Sequence, residues 1–403
     1  MNIAGIVAEY NPFHLGHEYH IDETRRRLGA DTLIVCAMSG DFVQRGEAAL
    51  YSKYARAEAA VLCGADLVLE LPLPWALMSA EGFARGAVSI LAAAGATHLS
   101  FGSEAGDIAP LEALADYMCR AEAGARIKEL LSQNASLSYA AARQLAVEEA
   151  LGDSARLLAL PNNILAVEYL KAIRALDAPL APMTVARRGA GHDAPTEGEI
   201  LSAMELRRRV MRGEGLDARV PAGAAEVYRR ERAQGRELAS RERLELAVLS
   251  RLRMLSLADF EALPDASAGV GRRLYDAARR EATLDAVLAA AKTKRYALSR
   301  LRRMCMCAAL GVTADMCAAA PPYLRVLAAN ERGCAQLRRI SADENALPVV
   351  TKPAAVKALS SDCTKVFAVG VYAHDLFALA YPAEGERKGG EEWRISPKIV
   401  KNP

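Results

Sequence analysis

The fold is decided by the stretch Gly5-Ile6-Val7-Ala8-Glu9-Tyr10-Asn11-Pro12-Phe13-His14-Leu15-Gly16-His17. The apolar run over residues 2–8 predicts a short buried strand. Asn11-Pro12 ends that strand, because the residue before a proline avoids the helical region. A polar run over residues 17–28 then predicts a helix, which Gly29 ends. Both histidines of the stretch therefore lie where a strand passes into a helix.

Such a junction suits a phosphate group. The first turn of a helix has unpaired backbone N–H groups and the positive end of the helix dipole. His14 and His17 add two donors that can be charged near neutral pH. Gly16 between them lets a nucleotide approach the backbone closely. Two surface histidines in a loop are the simpler interpretation, but two of the six histidines of the chain within four residues favour a nucleotide site.

Length and composition describe an ordinary soluble protein. The chain of 403 residues is 52% apolar and 25% charged, which predicts two or three domains. No run of about 18 uncharged apolar residues is present, and the first strand begins too early to leave room for a signal peptide. The eight cysteines are scattered, with only Cys305 and Cys307 close together. They predict reduced thiols in a cytoplasmic protein rather than disulfides or a zinc site. We therefore expect no metal site, and the sequence indicates neither a membrane anchor nor a protein partner.

Strands and helices alternate through the first hundred residues. Apolar runs predict further strands over residues 31–38, 66–71 and 97–101, with helices over 52–63 and 81–94 between them. Nearly continuous apolar strands separated by helices predict an α/β fold with a Rossmann-like parallel sheet covered on both faces. Ligands of such sheets bind beyond the carboxyl ends of the strands.

Several later segments lie at strand ends or helix starts and are candidate site segments. They are the loop 39–47 with Asp41, Gln44 and Arg45, the turn Phe101-Gly102-Ser103-Glu104, the helix start Pro161-Asn162-Asn163 with an asparagine as N-cap, a fifth strand with a glycine-flanked loop over 184–192, and the helix start Ile200-Leu201-Ser202-Ala203-Met204-Glu205-Leu206-Arg207. A solvated loop and a simple helix cap remain alternatives for residues 39–47 and for the asparagines.

Positive charge is concentrated in one window. Residues 271–303 contain ten basic and three acidic residues, although the whole chain has a net charge of only +2. Residues 292–303 contain no acid, so we expect their cations to be unpaired. Tyr296, Leu298, Leu301 and Met304 can face inward while the cations face out. A solvated helix is the alternative, but this asymmetry favours contact with an RNA backbone.

These patterns divide the chain into three parts. We expect a nucleotide-binding domain over residues 1–210, a mostly helical basic domain over 211–310, and a small mixed region over 311–403. The polar tail from Ala383 is expected to be mobile.

The opening stretch resembles the HxGH signature of the nucleotidyltransferase superfamily and, with Glu9-Tyr10 in front, one family in it, the bacterial tRNA(Met) cytidine acetate ligases. Residues 200–207 resemble the second superfamily signature, I-S-S-T-x-x-R, with Met204 in place of the usual threonine. The loop 39–47, the strings at 101–104 and 161–165, and the segment Lys292-Thr293-Lys294-Arg295-Tyr296 are also similar to that family. The resemblance covers nearly the whole chain, from Gly5 to about Tyr381.

The resemblance implies an ATP-dependent ligase. Such an enzyme activates acetate as acetyl-adenylate and acetylates N4 of the wobble cytidine of elongator tRNA(Met), with Mg²⁺ accompanying the nucleotide. It implies that His14 and His17 are catalytic and that the tRNA is bound through Lys294, Arg295, Arg300 and Arg302. Asp41, Gln44 and Arg45 are weaker candidates for an acetate or base pocket. The residues implied to bind ATP are Val7, Ala8, Glu9, Tyr10, Asn11, Pro12, Phe13, His14, Gly16, His17, Gly102, Asn162, Arg187, Arg188 and Ser202.

Two other functions remain open from the sequence. One is a small-molecule adenylyltransferase of the same superfamily, although those proteins are typically shorter and would leave the basic C-terminal half unexplained. The other is a non-catalytic RNA-binding protein with a nucleotide site. Only the ligase should release pyrophosphate from ATP when acetate alone is added.

Overall fold

The computed structural model describes residues 1–134, 136–187, 201–238, 242–267 and 269–401. The strands in these ranges are β1 (Ile3–Ala8), β2 (Leu33–Ser39), β3 (Phe42–Val43), β4 (Glu47–Ala48), β5 (Leu67–Leu71), β6 (His98–Ser103), β7 (Ala181–Ala186), β8 (Leu324–Ala329), β9 (Val349–Val350) and β10 (Lys398–Ile399). The helices are α1 (Leu15–Leu28), α2 (Lys53–Leu62), α3 (Leu73–Ala76), α4 (Ala80–Ala93), α5 (Ala109–Cys119), α6 (Ala121–Gln133), α7 (Tyr139–Leu151), α8 (Pro161–Ala175), α9 (Ala203–Met211), α10 (Ala222–Ala233), α11 (Glu242–Met254), α12 (Leu257–Glu261), α13 (Val270–Arg280), α14 (Leu284–Ala291), α15 (Leu298–Leu310), α16 (Glu331–Ser341) and α17 (Ser361–Ala378).

One sheet organises the described part of the chain. Its strand order is β10-β8-β5-β2-β1-β6-β7, with β9 beside β8. The five strands from β5 to β7 in that order are parallel, and β8 lies antiparallel at the side of β5. The predicted α/β class with a parallel sheet is confirmed, and the predicted strands and helices of the first hundred residues agree with the observed ones to within about two residues.

The central strand β1 is covered on both faces because its side chains alternate between two cores. Ile3 packs in a core that includes Leu91 of α4. Ile6 packs in the core on the opposite face, with Ile21 of α1. At Gly5 an added Cβ would lie 2.9 Å from Leu91 Cδ1, so α4 packs directly against the strand. The carboxyl end of β1 is held firmly as a result.

The helices after residue 242 enclose a third core. This agrees with the prediction of a mostly helical C-terminal region. Phe260, Leu274, Leu301 and Phe377 belong to this core, which α11, α13, α15 and α17 enclose. Phe42 of the short β3–β4 hairpin packs in the same core. The hairpin that leaves the nucleotide sheet is therefore anchored in the helical region.

The last part of the chain returns to the sheet. Residues 311–403 contribute β8, β9 and β10, which the sequence did not indicate. The tail after Ala383 is held in place, contrary to the expected mobility: Glu392 is 1% exposed. Its Oε1 lies 3.0 Å from Lys53 Nζ, and its Oε2 accepts a hydrogen bond from Tyr54 across 2.8 Å. The partners of this acid lie on α2 and, with Arg325 at 3.7 Å, on β8, so the sequence of the tail alone could not reveal them.

Candidate active site

The turn from β1 into α1 places two imidazole rings together. His14 is the N-cap of α1, and its Nδ1 accepts the N–H of Gly16 across 3.0 Å. His17 Nδ1 accepts the N–H of His14 across 3.2 Å. The two rings stack with 3.8 Å between their centroids. Because each Nδ1 accepts a hydrogen bond, the neutral rings carry their proton on Nε2, and each offers one N–H donor.

Burial disfavours the charged form of both rings, in the opposite direction to the charge near neutral pH that the sequence suggested. Burial lowers the pKa of His14 to about 4, with the charges of Arg187 and Arg207 acting in the same direction. Burial likewise lowers the pKa of His17, assisted by His14, Arg187 and His20. The site is electropositive through its arginines, and the histidines act as neutral donors until an anion binds.

A cleft at the carboxyl ends of β1, β6 and β7 contains most of the predicted ATP residues. Its lining includes Val7, Ala8, Glu9, Tyr10, Asn11, His14, Gly16, His17, Gly102, Asn162, Arg187 and Ser202. Pro12 and Phe13 do not line it. Phe13 is buried, its N–H donates to the Tyr228 hydroxyl across 2.8 Å, and its ring lies 5.5 Å from that of His17. Phe13 therefore supports the position of His17. Arg188 and His192 lie outside the described residues.

One wall of the cleft joins β6, β7 and the start of α8. Arg187 lies so close to Gly102 that an added Cβ there would be 3.4 Å from Arg187 Cγ. Asn162 Oδ1 accepts from Arg187 Nη1 at 3.4 Å. The expected asparagine N-cap is wrong, because Leu160 is the N-cap of α8 and both asparagines lie in the first turn. The Glu104 carboxylate accepts the backbone N–H of Asn163 across 2.9 Å instead.

The opposite wall is the start of α9. Ser202 is its N-cap and accepts the N–H of Glu205 across 3.3 Å. Met204 is 42% exposed and does not line the cleft. Arg207 lines it and donates from Nη1 to the carbonyl of Asn11 across 2.7 Å. Sequence reasoning did not assign Arg207 a role, although it is the arginine that closes the second signature.

The three weaker candidates in the loop 39–47 are placed differently. Gln44 lines the cleft, and its N–H donates to Glu9 Oε1 across 3.0 Å. Arg45 is exposed beside the cleft. Asp41 is buried away from it, 2.9 Å from His374 Nδ1. Although burial opposes ionisation, His374 and Lys53 hold the pKa of Asp41 below its usual range. An acetate or base contact by Asp41 is therefore a wrong prediction.

Sequence reasoning did not assign the other lining residues a role of their own. His20 lies one helical turn after His17, and its Nε2 is 2.9 Å from Ser100 Oγ. Burial lowers its pKa to about 4. The remaining members are mostly apolar or aromatic and come from separate elements: Ile6, Tyr19, Phe83, Phe101, Leu165, Tyr169, Val185, Ala186, Leu201 and Ala203. Only the three-dimensional fold brings them together.

The predicted tRNA-binding cations divide into two groups. Lys294 and Arg295 are exposed on residues 292–297, the cationic loop, and form no ion pair with the described residues. Arg300 donates from Nη2 to Ser267 Oγ across 2.9 Å. Arg302 pairs with Glu47 at 3.1 Å. The expectation of unpaired cations is therefore wrong for Arg302, whose partner comes from the distant hairpin. It is also wrong for Arg303, whose Nη2 lies 3.4 Å from Asp265 Oδ2. The inward positions of Tyr296, Leu301 and Met304 are confirmed.

The hairpin connects the cleft to this cationic region. Gly46, with φ 72°, packs so closely on α15 that an added Cβ would lie 2.7 Å from the backbone of Arg302. Gln44, two residues earlier, lines the cleft. The hairpin therefore contacts both the cleft and α15.

Comparison with known proteins agrees with this arrangement. The family model described as HIGH Nucleotidyl Transferase matches residues 1–392. A tRNA(Met) cytidine acetate ligase of Syntrophotalea carbinolica is 39% identical over 361 residues, covering 87% of this chain and 85% of the relative. The chain belongs to the family of tRNA(Met) cytidine acetate ligases, within the HIGH nucleotidyl transferases. The resemblance drawn from the sequence is confirmed, and so is the expectation of an enzyme of this family.

Further members and solved structures extend the match over the full length. A tRNA(Met) cytidine acetate ligase of Acetivibrio thermocellus is 33% identical, covering 98% of both chains. The crystal structure of Thermotoga maritima TmcAL bound with alpha-thio ATP has a TM-score of 0.90, 29% identity and 100% coverage of both chains. The apo form of that protein gives a TM-score of 0.92.

No helix among the described residues is long and apolar enough to cross a bilayer. They also contain no group of three or more histidine, cysteine or acidic side chains suited to a metal ion.

Proposed function

We propose that the protein activates acetate with ATP as acetyl-adenylate and transfers the acetyl group to N4 of the wobble cytidine of elongator tRNA(Met). The observation that carries this proposal is the cleft at the strand ends, where the two stacked histidines, Arg187 after β7 and Arg207 of α9 line one cavity. The names of the relatives and the ATP analogue in the Thermotoga maritima protein support the same substrates.

In the activation step an acetate oxygen forms a bond to the α-phosphorus of ATP. The bond from that phosphorus to the bridging oxygen breaks, and pyrophosphate leaves. Such a transfer needs alignment and charge neutralisation more than covalent help from the protein. The Nε2–H groups of His14 and His17 are suited to the α-phosphate oxygens, and Arg187, Arg207 and the N-terminus of α9 at Ser202 to the departing pyrophosphate.

Mg²⁺ accompanies the nucleotide in this proposal. The donors that line the cleft are mainly N–H and guanidinium groups, which address phosphate oxygens. The phosphates themselves would therefore hold the ion, whose contribution is to neutralise their charge.

The acceptor part of the proposal rests on the cationic loop and the hairpin. Single-stranded anticodon bases can leave their stack and enter a pocket, while exposed cations hold the backbone. We assign the ATP chemistry to residues 1–210 and RNA contact to the cationic part of 211–310, with 311–403 completing the sheet. A tRNA substrate and eight free cysteines are consistent with a cytoplasmic enzyme.

The test measures exchange of labelled pyrophosphate into ATP without tRNA. Exchange that requires acetate is the expected result. Exchange that requires a phosphopantetheine or nicotinamide mononucleotide acceptor would indicate a small-molecule adenylyltransferase, and tRNA binding without exchange would indicate an RNA-binding protein. Mass spectrometry of tRNA nucleosides from a deletion strain then tests the acceptor, because N4-acetylcytidine should disappear from elongator tRNA(Met).

A further inference from the structure

The transfer step leaves one proton to be accounted for. When the cytidine amine bonds to the acetyl carbon, its nitrogen must lose a proton. The donors in the cleft, Arg187 and Arg207, are permanently charged and cannot accept it. His14 and His17 use Nδ1 as hydrogen-bond acceptors within the turn. The chemistry therefore calls for another acceptor within the cleft.

Glu9 is the only carboxylate among the described residues that line the cleft. Its Oε1 is fixed by the N–H of Gln44 at 3.0 Å, and its backbone carbonyl accepts a hydrogen bond from Arg56. Its Oε2 accepts no hydrogen bond from the described residues. One oxygen thus orients the carboxylate while the other remains available to a substrate.

The electrostatic surroundings suit a base. Burial raises the pKa of Glu9, against the hydrogen bond from Gln44 and the charges of Arg207, Arg45 and Arg56. Burial and, to a lesser extent, the charge of Glu9 raise the pKa of Tyr169 on α8. The phenol of Tyr169 therefore lies close enough to interact with the Glu9 carboxylate. Desolvation makes Glu9 a better proton acceptor than an exposed carboxylate.

We propose that Glu9 accepts the N4 proton of the cytidine during acetyl transfer, and that it recognises the amine by the hydrogen bond that precedes this step. The proposal rests on the proposed function. The N4 nitrogen bonds to the acetyl carbon, the bond from that carbon to the phosphate oxygen breaks, and AMP leaves with the electron pair. The N4 proton moves to Glu9 Oε2 and is later released to water.

This assignment also gives the acceptor pocket a chemical selectivity. A carboxylate accepts a hydrogen bond from the cytosine amine, whereas uracil presents a carbonyl oxygen at the same position. Tyr169 and Phe101, with 5.8 Å between their ring centroids, line the same cleft and offer an aromatic surface to the base. Glu9 thereby acquires a role different from the ATP contact implied by the sequence.

The test supplies synthetic acetyl-adenylate and elongator tRNA(Met) to the full-length protein and measures the single-turnover transfer rate between pH 5 and 9. Glu9→Gln keeps an oxygen for the Gln44 N–H, so its fold should be retained. We expect its transfer rate to fall by at least about 10²-fold and to lose the rise with pH that ionisation of Glu9 gives the wild type. Glu18→Gln, the same change on α1 outside the cleft, should behave as the wild type does.

Two results would overturn the assignment. A Glu9→Gln rate within about threefold of wild type, with the same pH profile, would show that Glu9 takes no proton in the transfer step. An equal loss in Glu18→Gln would show that the effect is not specific to Glu9. Failure of the wild type itself to transfer the acetyl group would instead refute the proposed function, and the role of Glu9 with it.

Discussion

Arg302 of α15 and Glu47 of the β3–β4 hairpin form an ion pair, with 3.1 Å between Nη1 and Oε1. The pair joins the helix that follows the cationic loop to the hairpin that reaches the cleft through Gln44. It also neutralises a cation that the sequence suggested was free to contact RNA. Among the predicted RNA contacts, Arg302 is therefore the one whose charge an acid on the hairpin already balances.

The two catalytic candidates can be tested by removing one donor at a time. We expect His14→Ala and His17→Ala each to reduce acetate-dependent ATP–pyrophosphate exchange by at least about 10²-fold, the usual effect of losing one transition-state donor. His98→Ala is a suitable control, since this histidine begins β6 and does not line the cleft. Near-wild-type exchange in both motif variants would contradict the assignment.

Protonation of the cleft histidines should lower the stability of the free protein. The folded-state pKa of His14, about 4, lies below its value in the unfolded chain. The unfolded state therefore binds more protons, and the free energy of unfolding decreases as the pH falls below about 6.5. Each such histidine contributes a slope of up to about 1.4 kcal/mol per pH unit between its two pKa values.

Denaturant titrations between pH 7 and 5 measure this effect. His14→Asn should show a shallower pH dependence than the wild type, because one of the groups responsible is absent. His98→Asn provides the comparison. Equal slopes in wild type and His14→Asn would mean that His14 titrates normally in the folded protein.

We expect the identity of residue 204 to have no effect on the affinity for ATP. Its side chain is 42% exposed and does not line the cleft, although it replaces the usual threonine of the signature. Met204→Thr should therefore change the ATP dissociation constant by less than about twofold, a difference well below 1 kcal/mol. Ser202→Ala should weaken ATP binding and also lower the unfolding free energy by about 1 kcal/mol, because it removes the N-cap of α9. Isothermal titration with ATP and denaturant unfolding separate the two effects. Tighter ATP binding in Met204→Thr would show that position 204 does reach the nucleotide.

The sequence correctly predicted those structural elements that are determined by residues close together in the chain. The strand before Asn11-Pro12, the helix ended by Gly29 and the Ser202 cap all follow from apolar runs, turn residues and capping chemistry. The spacing of His14 and His17 in the sequence also correctly predicted that both lie in the turn between β1 and α1. These features need only neighbouring residues to be interpreted.

The features that the sequence did not reveal depend on distant partners. The lowered pKa of His14 follows from burial and from two arginines distant in sequence, Arg187 after β7 and Arg207 of α9. The sequence suggested Asp41 as a site residue, but in the fold its carboxylate pairs with His374. The first turn of α8 is likewise capped by Glu104, which comes from another loop. The antiparallel strand β8 joins β5 from more than two hundred residues away. No local pattern encodes such pairings, so the fold was needed to assign them.

The cationic loop supplies the last prediction. Changing Lys292, Lys294 and Arg295 together to alanine removes up to three exposed cations, each contributing about 0.7 to 0.9 to the salt dependence of RNA binding. We expect weaker binding of tRNA and a plot of log affinity against log salt whose slope is shallower by roughly two units. Arg302→Ala is the matched control. Because Glu47 already neutralises that guanidinium, its slope should remain that of the wild type. A triple variant with an unchanged slope would identify the loop as a solvated surface, and a large change in Arg302→Ala would mean that RNA displaces Glu47 from its partner.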